Sequence, residues 1–249
     1  MAYTELPPPP GLEPFVACVW TSSPGPGGPV LPDGCVDVVW TGLSLVVAGP
    51  PTQVAHPVTA PEATKLGMRF RVGAAGAALG VPADELVDSA VPLAELWRGP
   101  LEPPRDLPSL VRTVARRLPS PAELDPLVRA AAVATARSEP GSRELGRALG
   151  LSERQLLRRF RRAVGYGPRT FARVVRFQRF LALAHSDPSP DLARLAADAG
   201  YADQSHLTRE CRRLAGRTPL ELIRAGAVAA GEKSESFNTA PARSDTLAA

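Results

Sequence analysis

The fold is decided by a stretch that is written twice within residues 145–219. The first copy reads LGRALGLSERQLLRRFRRAVGYGP (145–168), and the second reads LAADAGYADQSHLTRECRRLAGRTP (195–219). The prolines that close the copies, Pro168 and Pro219, are 51 residues apart, whereas the opening leucines are 50 apart, so the second turn is one residue longer. Two copies are too few for a solenoid, which needs about three or more units to bury a continuous core. The stretch is therefore a duplicated module.

Each copy predicts a short helix, a glycine-containing turn and a second helix. In the first copy, a helix over 143–149 ends at Gly150, which can adopt the left-handed conformation. A helix over 152–164 follows and opens with a serine that can cap it. Helices over 192–199 and 203–215 repeat the pattern in the second copy. This is the helix-turn-helix arrangement, whose second helix enters the major groove of DNA.

The second helix of the first copy divides its residues between a core face and an arginine-rich face. Arg154 and Arg158 are four residues apart and lie on one side, whereas Leu156 and Phe160 lie on another. This division suits a helix with one face in the core and one face on DNA. Paired arginines farther along both second helices suit phosphate contacts, which position a protein without reading sequence. They are Arg161, Arg162, Arg212 and Arg213.

Positive charge is concentrated in the same part of the chain. Residues 125–230 carry 19 Arg against 10 Asp or Glu, a net +9, whereas residues 1–124 carry 8 Lys or Arg against 12 Asp or Glu, a net −4. Residues 231–249 are close to neutral at −1. A basic domain beside an acidic one predicts a polyanion ligand. A GC-rich composition would explain the scarcity of lysine, but it would not explain this segregation.

The first half of the chain is predicted to be mostly β. Short β-type runs at 15–20, 36–40, 44–47 and 66–72 are separated by turns rich in proline and glycine. These runs indicate a small barrel or sandwich, and the alternation of apolar residues with arginines in the last run predicts a half-buried strand. The predicted class is α+β, with this β-rich domain followed by an all-α domain in which a long helix over about 168–184 joins two helix-turn-helix units.

The predicted domain organisation has four parts. Residues 1–110 form an effector-sensing or dimerisation domain, 111–123 a linker, 124–230 a DNA-binding domain and 231–249 a disordered tail, whose polar composition favours disorder. No apolar run reaches the length of a membrane span, so we expect a cytoplasmic protein without a membrane partner. The three cysteines include no CxxC pair, which argues against a disulfide framework or a structural zinc site.

The strings LGLSERQLLRRFRRAVGYGP, FARVVRFQRFLALA and LARLAADAGYADQSHLTRECRRLAGRTP resemble the double helix-turn-helix domain of the AraC/XylS family of transcriptional regulators, over roughly residues 124–228. The resemblance implies double-stranded DNA as the partner, read by two units in successive major-groove segments. RNA polymerase, an unknown small-molecule effector and a second copy of the chain are further candidate partners. Base-facing roles are implied for Arg154, Leu157 and Arg158 in the first unit and for Gln204, Ser205, His206, Thr208 and Arg209 in the second.

The first half resembles a domain that accompanies a subset of these regulators, through the strings LPPPPGLEPFVACVW, VLPDGCVDVVW and GVPADELVDSAVPLAELW. The resemblance does not say whether this domain binds an effector or forms a dimer. Within the DNA-binding part, the first unit is richer in arginine and the second is more polar. We therefore expect the first unit to supply more of the affinity and the second more of the sequence discrimination.

A candidate ligand pocket follows a turn in the first half. Alternation would place Asp33, Cys35 and Asp37 on one strand face, as the floor of a pocket walled by Trp20 or Trp40. The competing interpretation is a turn-capping Asp33, an ordinary buried Cys35 and an exposed Asp37. An alternative function is a thiol sensor in which Cys35 is alkylated or oxidised.

Catalysis is not indicated by the sequence. There is no Ser/His/Asp set, phosphate-binding loop or paired set of metal ligands, and three histidines leave little for acid–base chemistry. We therefore predict no enzyme, no catalytic or metal-binding residues and no cofactor. A third alternative is a binding module that uses the helix-turn-helix units only architecturally.

Overall fold

The computed structural model describes residues 3–25, 28–186 and 191–225. Within these ranges, six strands form one antiparallel sheet in the order β1-β2-β5-β3-β4-β6. The strands are β1 Tyr3–Leu6, β2 Val16–Ser22, β3 Asp37–Trp40, β4 Leu45–Ala48, β5 Lys65–Phe70 and β6 Ala90–Pro92. The predicted β-rich first half is confirmed, but the sheet is open and is not the closed barrel that was one of the expected forms. The edge strands β1 and β6 do not pair with each other in this order.

The sheet has two different faces because successive residues of a strand point to opposite sides. One face packs into an apolar core that contains Val38, Met68 and Phe70. Three short helices belong to this half: α1 Ala75–Leu79, α2 Leu93–Leu96 and α3 Leu107–Ala115. The other face of the sheet is turned toward the second half of the chain. As a result every residue of β5 is buried, and the prediction of a half-buried strand is wrong there.

Helix α3 packs with the first half of the chain. Its N-cap Asp106 accepts a 2.8 Å hydrogen bond from the backbone N–H of Ser109, and Leu110 and Val114 are fully buried in the core beneath the sheet. The predicted linker, 111–123, therefore begins inside a helix that contributes to this core. The exact domain boundaries remain a prediction.

The second half is entirely helical in the described residues, and the predicted all-α domain is confirmed. Its helices are α4 Pro126–Ser138, α5 Ser142–Ala148, α6 Glu153–Val164, α7 Pro168–Ser186, α8 Leu192–Ala199, α9 Gln204–Ala215 and α10 Pro219–Arg224. Within the described ranges, no helix is both long and apolar enough to cross a membrane. The predicted tail over 231–249 lies outside the described residues.

Two apolar clusters lie along the long helix α7. Its first half packs with α4 and α6 around Phe160 and Phe171, and its second half packs with α8 and α9 around Phe180, Leu207 and Cys211. Each cluster is the core of one helix-turn-helix unit. The predicted arrangement of two units joined by a long helix is confirmed.

Both units contact the first half of the chain. A side chain at Gly76, in α1, would bring its Cβ atom to 2.7 Å from the carbonyl oxygen of Arg162 at the end of α6. A Cβ atom at Gly165 would come within 2.6 Å of the Pro50 ring. On the other side, the Gln178 amide of α7 donates a 2.6 Å hydrogen bond to the carbonyl of Pro32. The contacts of Gly76 with the end of α6 and of Gly165 with Pro50 therefore leave no room for an added side chain.

Candidate nucleic-acid interface and ligand cavity

Helix α6 separates buried from exposed residues as the sequence predicts. Leu156 and Phe160 are completely buried, whereas Arg154 and Arg158 are exposed and Leu157 is half-buried between them. The helix starts at Ser152, whose hydroxyl accepts a 3.3 Å hydrogen bond from the third backbone N–H of the helix. The start of the helix and its basic row are thus held by local hydrogen bonding and by burial of the opposite side.

Helix α9 presents a more polar row. Gln204, Ser205 and Arg209 are exposed, and His206 and Thr208 are half-buried. On the opposite side Leu207 and Cys211 are completely buried. These polar groups are the types that pair with base edges in the major groove.

His206 is oriented by the turn before α9. Its Nδ1 accepts a 3.3 Å hydrogen bond from the backbone N–H of Ala202, and its ring meets Tyr201 edge-on with centroids 5.2 Å apart. In the neutral ring this bond assigns the hydrogen to Nε2, which becomes the donor. Thr208 donates its own hydroxyl hydrogen to the Gln204 carbonyl over 2.8 Å, so its oxygen remains an acceptor.

The candidate phosphate contacts are all exposed: they are Arg161, Arg162, Arg212 and Arg213. Arg213 also lines a small cleft together with Thr52 and Gln53 of the first half. Arg159 is engaged elsewhere, because it forms a 3.2 Å ion pair with Asp125 at the start of α4. The basic surface therefore contains both exposed arginines and arginines that hold the fold together.

Sequence reasoning missed a second set of arginines that belong to the fold. Arg173 of α7 binds Glu210 of α9 through two hydrogen bonds of 2.8 and 3.1 Å. Arg176 binds Glu139 and lies 5.4 Å from the centre of the Tyr201 ring. Arg173, Arg176 and Arg179 are three residues apart and therefore lie on one side of α7. This spacing was the sequence signal that could have identified them as a group. These residues fix α4 and α9 against α7.

A cavity of about 920 Å³ lies between the outer face of the sheet and the second helix-turn-helix unit. Trp20, Asp33, Cys35 and Asp37 all line it. Trp40, the other candidate wall residue, packs against the apolar core beneath the sheet. It does so because it follows Asp37 by three positions in β3 and therefore points to the opposite face.

The polar floor of the cavity is organised by Arg69, which the sequence did not single out. Its guanidinium Nε lies 3.1 Å from Asp37 Oδ1, Nη2 lies 3.4 Å from Asp33 Oδ2, and Nη1 lies 3.3 Å from Glu5 Oε1. Asp37 is buried, in contrast to the competing interpretation of an exposed residue. Asp33 does cap its turn, because its Oδ1 accepts a 2.9 Å hydrogen bond from the Cys35 N–H.

The indole of Trp20 lies across the neighbouring strand. Its Nε1 donates a 2.9 Å hydrogen bond to Asp37 Oδ2, although β5 separates the two strands that carry these residues. The indole can lie across β5 because the β5 residue paired with Trp20 is Gly67. A Cβ atom at Gly67 would come within 2.0 Å of the indole. Tyr3 extends the aromatic surface, with its ring centre 5.5 Å from that of Trp20.

Burial controls the ionisation of this floor. Desolvation raises the pKa of Asp33 and of Glu5 despite the attraction of Arg69. Burial, and then the charge of Asp33, raise the pKa of the Cys35 thiol well above its ordinary value, and burial raises the pKa of Cys18 to about 12. Both thiols are therefore protonated at neutral pH, and a protonated thiol is a poor nucleophile.

Comparison with known proteins gives two family matches. A family described as a helix-turn-helix domain matches residues 145–225, and one described as a domain of unknown function (DUF6597) matches residues 4–92. No curated protein matches the chain significantly.

Similar solved structures include the C-terminal domain of AraT, a response regulator from Geobacillus stearothermophilus. It is 20% identical and has a TM-score of 0.38, and the match covers 41% of this chain and 88% of that chain. Another is a probable AraC family transcriptional regulator from Rhodopseudomonas palustris. It is 24% identical and has a TM-score of 0.36, and the match covers 41% of this chain and 97% of that chain.

Proposed function

We propose that this protein regulates transcription by binding a specific DNA sequence. Residues 145–225 match a family described as a helix-turn-helix domain, and the second helix of such a unit enters the major groove of DNA. The observation that carries the proposal is the division of both α6 and α9 into a buried apolar side and an exposed polar or basic side. A duplicated pair of such helices matches a bipartite site in successive major-groove segments.

Capture of DNA is proposed to be electrostatic and non-specific at first. The exposed arginines at the ends of α6 and α9 neutralise phosphates and release counterions, which makes the affinity fall steeply with salt. Phosphate contacts then set the register of the two helices on the duplex without reading its sequence. This step explains why the positive charge is concentrated in the second half of the chain.

Base reading is proposed to follow through the exposed rows. Arg154 and Arg158 are suited to guanine O6 and N7, and Leu157 offers an apolar contact to a thymine methyl group. On α9, Gln204 is suited to adenine and Arg209 to guanine. The remaining α9 positions, Ser205, His206 and Thr208, add shorter donors and acceptors. We infer that the first unit contributes more affinity and the second more discrimination.

The reading geometry is proposed to depend on arginines that do not touch DNA. The two hydrogen bonds between Arg173 and Glu210 hold α9 to α7. An arginine–carboxylate pair of this kind fixes direction as well as distance. Pre-organisation of this kind lowers the entropy that binding must overcome.

We also propose that the first half controls DNA reading through a ligand or through dimerisation. Support comes from its contacts with both units, at Gly76 beside the end of α6 and at Pro32 beside Gln178 of α7. A change in the first half would therefore act on the units that read DNA. The surroundings of Cys35 favour this over thiol sensing, because its raised pKa keeps the thiol protonated.

The proposal is tested by substitution of one base-facing arginine in each unit. The variants Arg158→Ala and Arg209→Ala are compared with Arg194→Ala, an exposed arginine of α8, on a DNA site enriched by the wild-type protein from random sequences. Each of the first two should weaken binding by about 1 to 3 kcal/mol and relax preference at one base pair. If both leave affinity and sequence preference unchanged, the base-facing roles are wrong.

A further inference from the structure

The cavity between the two halves has one wall from the sheet and one wall from the helical second half. The sheet wall includes Val39 and Val46, which are paired across β3 and β4. The opposite wall comes from α7, α9 and α10 and from the turn between α9 and α10. It includes Gln178, Leu181, Ala215, Gly216 and Leu222. A molecule held in the cavity would touch the end of α9.

The charged side chains that line the cavity include more cations than carboxylates. The cations are Lys65, Arg69 and Arg217, and the carboxylates are Asp33 and Asp37. Burial also raises the pKa of Asp33, which favours its neutral form. The two ends of the sheet wall differ in how these charges are paired.

The end of the wall at Arg69 is already neutralised. Its guanidinium lies within 3.4 Å of carboxylate oxygens of Glu5, Asp33 and Asp37. An anion placed there would meet three carboxylates that already surround this cation. A negatively charged ligand group is therefore expected at another part of the cavity.

The other end of the wall is formed by Lys65. It precedes Arg69 by four positions in β5, so both side chains lie on the cavity face, about 13 Å apart along the strand. Lys65 is only 4% exposed. Its ammonium donates a 2.7 Å hydrogen bond to the Gly25 carbonyl, and no carboxylate within residues 3–25, 28–186 and 191–225 forms an ion pair with it.

The missing counter-ion is significant because buried charges in proteins are normally paired. A lysine ammonium has three N–H donors, and one of them is used by Gly25. The remaining two donors and the positive charge are suited to an anion that enters from the cavity.

Ser22 supplies a second donor beside Lys65. The two residues are directly paired between β2 and β5, so their side chains lie on one face with Cβ atoms about 5 Å apart. Ser22 is 9% exposed and also lines the cavity. In the part of the chain that the structure describes, its hydroxyl has no hydrogen-bond partner. A hydroxyl and an ammonium side by side match the two oxygens of one carboxylate.

The wall between the two ends is apolar. Trp20, Val39 and Val46 line it, and the indole N–H is already used by Asp37, so the aromatic surface is what remains for a ligand. The cavity volume of about 920 Å³ is in the range of pockets that enclose most of a small organic molecule. Burial of apolar surface against these side chains would supply most of the affinity.

We propose that this cavity binds a monocarboxylate with an apolar body. The carboxylate accepts hydrogen bonds from the Lys65 ammonium and the Ser22 hydroxyl, and the apolar body lies against Val39 and Val46. The ligand also contacts the second half of the chain at the end of α9. Its binding is therefore coupled to DNA reading, and only this last step rests on the proposed function.

The test compares three probes of similar size and different charge. Binding of decanoate, decanamide and decylammonium to the full-length protein is measured by calorimetry at neutral pH. We expect decanoate to bind at least about tenfold more tightly than decanamide, and decylammonium to bind most weakly. Equal affinities for decanoate and decanamide, tighter binding of decylammonium, or no binding of decanoate would each overturn the proposal.

Variants of the two donors identify the carboxylate site. Lys65→Met removes the charge but keeps an unbranched side chain, and it should lower the affinity for decanoate to that for decanamide without changing the latter. Lys65→Arg keeps the charge and should keep the preference for decanoate. Ser22→Ala should weaken decanoate by about two- to tenfold. The matched control is Arg217→Met, at an exposed cation that lines the cavity. If this control and not Lys65→Met removes the preference, the carboxylate site is wrong.

A further variant tests the place of the apolar body. Val46→Phe fills the cavity at a distance from both donors and should abolish binding of decanoate. The control Leu6→Phe, at an exposed position of β1 outside the cavity, should bind normally. Thermal melts show that each variant is folded. Unchanged binding by a folded Val46→Phe protein would overturn the location.

DNA binding is measured in parallel on the same samples. If decanoate changes the affinity for DNA by some factor, bound DNA must change the affinity for decanoate by the same factor. If the wild type selects a specific DNA sequence but does not bind decanoate, the ligand proposal fails and the regulator remains. If decanoate binds with the expected variant pattern but no specific DNA is selected, the proposed function fails and the site remains. If both bind without changing each other's affinity, the coupling is wrong.

Discussion

Gln178, near the middle of the helix that joins the two helix-turn-helix units, donates a 2.6 Å hydrogen bond from its side-chain amide to the carbonyl oxygen of Pro32. Pro32 directly precedes Asp33, which binds Arg69 on the floor of the cavity. One turn of the first half thus contacts the cavity floor through Asp33 and the connecting helix through Pro32.

Loss of this hydrogen bond should destabilise the protein without affecting the proposed DNA-reading surface on α6 and α9. Gln178→Leu leaves the buried carbonyl of Pro32 without its donor, which should lower the free energy of unfolding by about 1 to 3 kcal/mol. Gln204→Leu, at an exposed position of α9, is the matched control. It should reduce DNA affinity with little change in stability. Urea denaturation and DNA titration of both variants measure the two effects, and equal stability of the two variants would contradict this role of Gln178.

Gly67 should tolerate no side chain while Trp20 is present. Gly67→Ala places a Cβ atom 2.0 Å from the indole, and overpacking of this kind should cost about 1 to 3 kcal/mol. Combining it with Trp20→Ala should cost less than the sum of the single changes. Gly141→Ala, where nothing lies within 4 Å of the added atom, is the control and should stay within about 0.5 kcal/mol of the wild type. If the free-energy changes of Gly67→Ala and Trp20→Ala simply add in the double variant, the two residues do not interact.

The Arg173–Glu210 pair should stabilise the second unit more than a surface pair does. A double-mutant cycle with alanine at both positions should give a coupling of about 1 to 3 kcal/mol. The exposed pair Arg194 and Asp198 of α8 should give about 0.5 kcal/mol or less. DNA affinity should fall in Arg173→Ala because α9 loses its anchor. Similar couplings for both pairs would contradict this account.

The same pair predicts a pH dependence. Partial burial favours a higher pKa for Glu210, but the hydrogen bonds and charge of Arg173 outweigh it, so that the net pKa is lowered. A carboxylate with a lowered pKa in the folded state stabilises the protein above its unfolded pKa. The stability difference between the wild type and Arg173→Ala should therefore be constant at neutral pH and shrink as the pH falls through the lowered pKa. A difference that grows in acid would exclude the pair as its source.

Phosphate-contacting arginines should behave differently from base-reading ones. Arg161→Ala and Arg212→Ala should weaken specific and non-specific DNA binding alike and reduce the magnitude of the salt slope by about 1 each. Arg158→Ala and Arg209→Ala should instead weaken specific binding most. Titrations at several salt concentrations on specific and random DNA separate the two groups. A loss of sequence preference in Arg161→Ala would move that residue to the reading group.

Much of the helical second half could be predicted from sequence because its signals are local. The helices α6 and α9 follow from a glycine turn and from a row of apolar residues at helical spacing, such as Leu156 and Phe160, opposite a basic row. Because the same pattern occurs in both copies, each copy supports the helix-turn-helix prediction for the other. Local signals of this kind do not depend on how distant parts of the chain meet.

The cavity floor could not be predicted because its contacts join distant residues. Alternation alone places Arg69 on the solvent side of a strand, but the second half of the chain covers that side. Its partners Glu5, Asp33 and Asp37 come from other elements of the sheet, brought together by a strand order that does not follow the sequence. Arg173 was likewise counted with the DNA-binding charge, because its partner Glu210 lies on another helix.

The central claim is that α6 and α9 together read one bipartite DNA site. The most direct test is selection of bound sequences from random double-stranded DNA by the full-length protein. We predict enrichment of two short half-sites separated by about one helical turn, about 10 base pairs from centre to centre. Substitution in α6 should relax only one half-site, and substitution in α9 only the other. Enrichment of no sequence, or of a single half-site that variants in either helix affect equally, would contradict the claim.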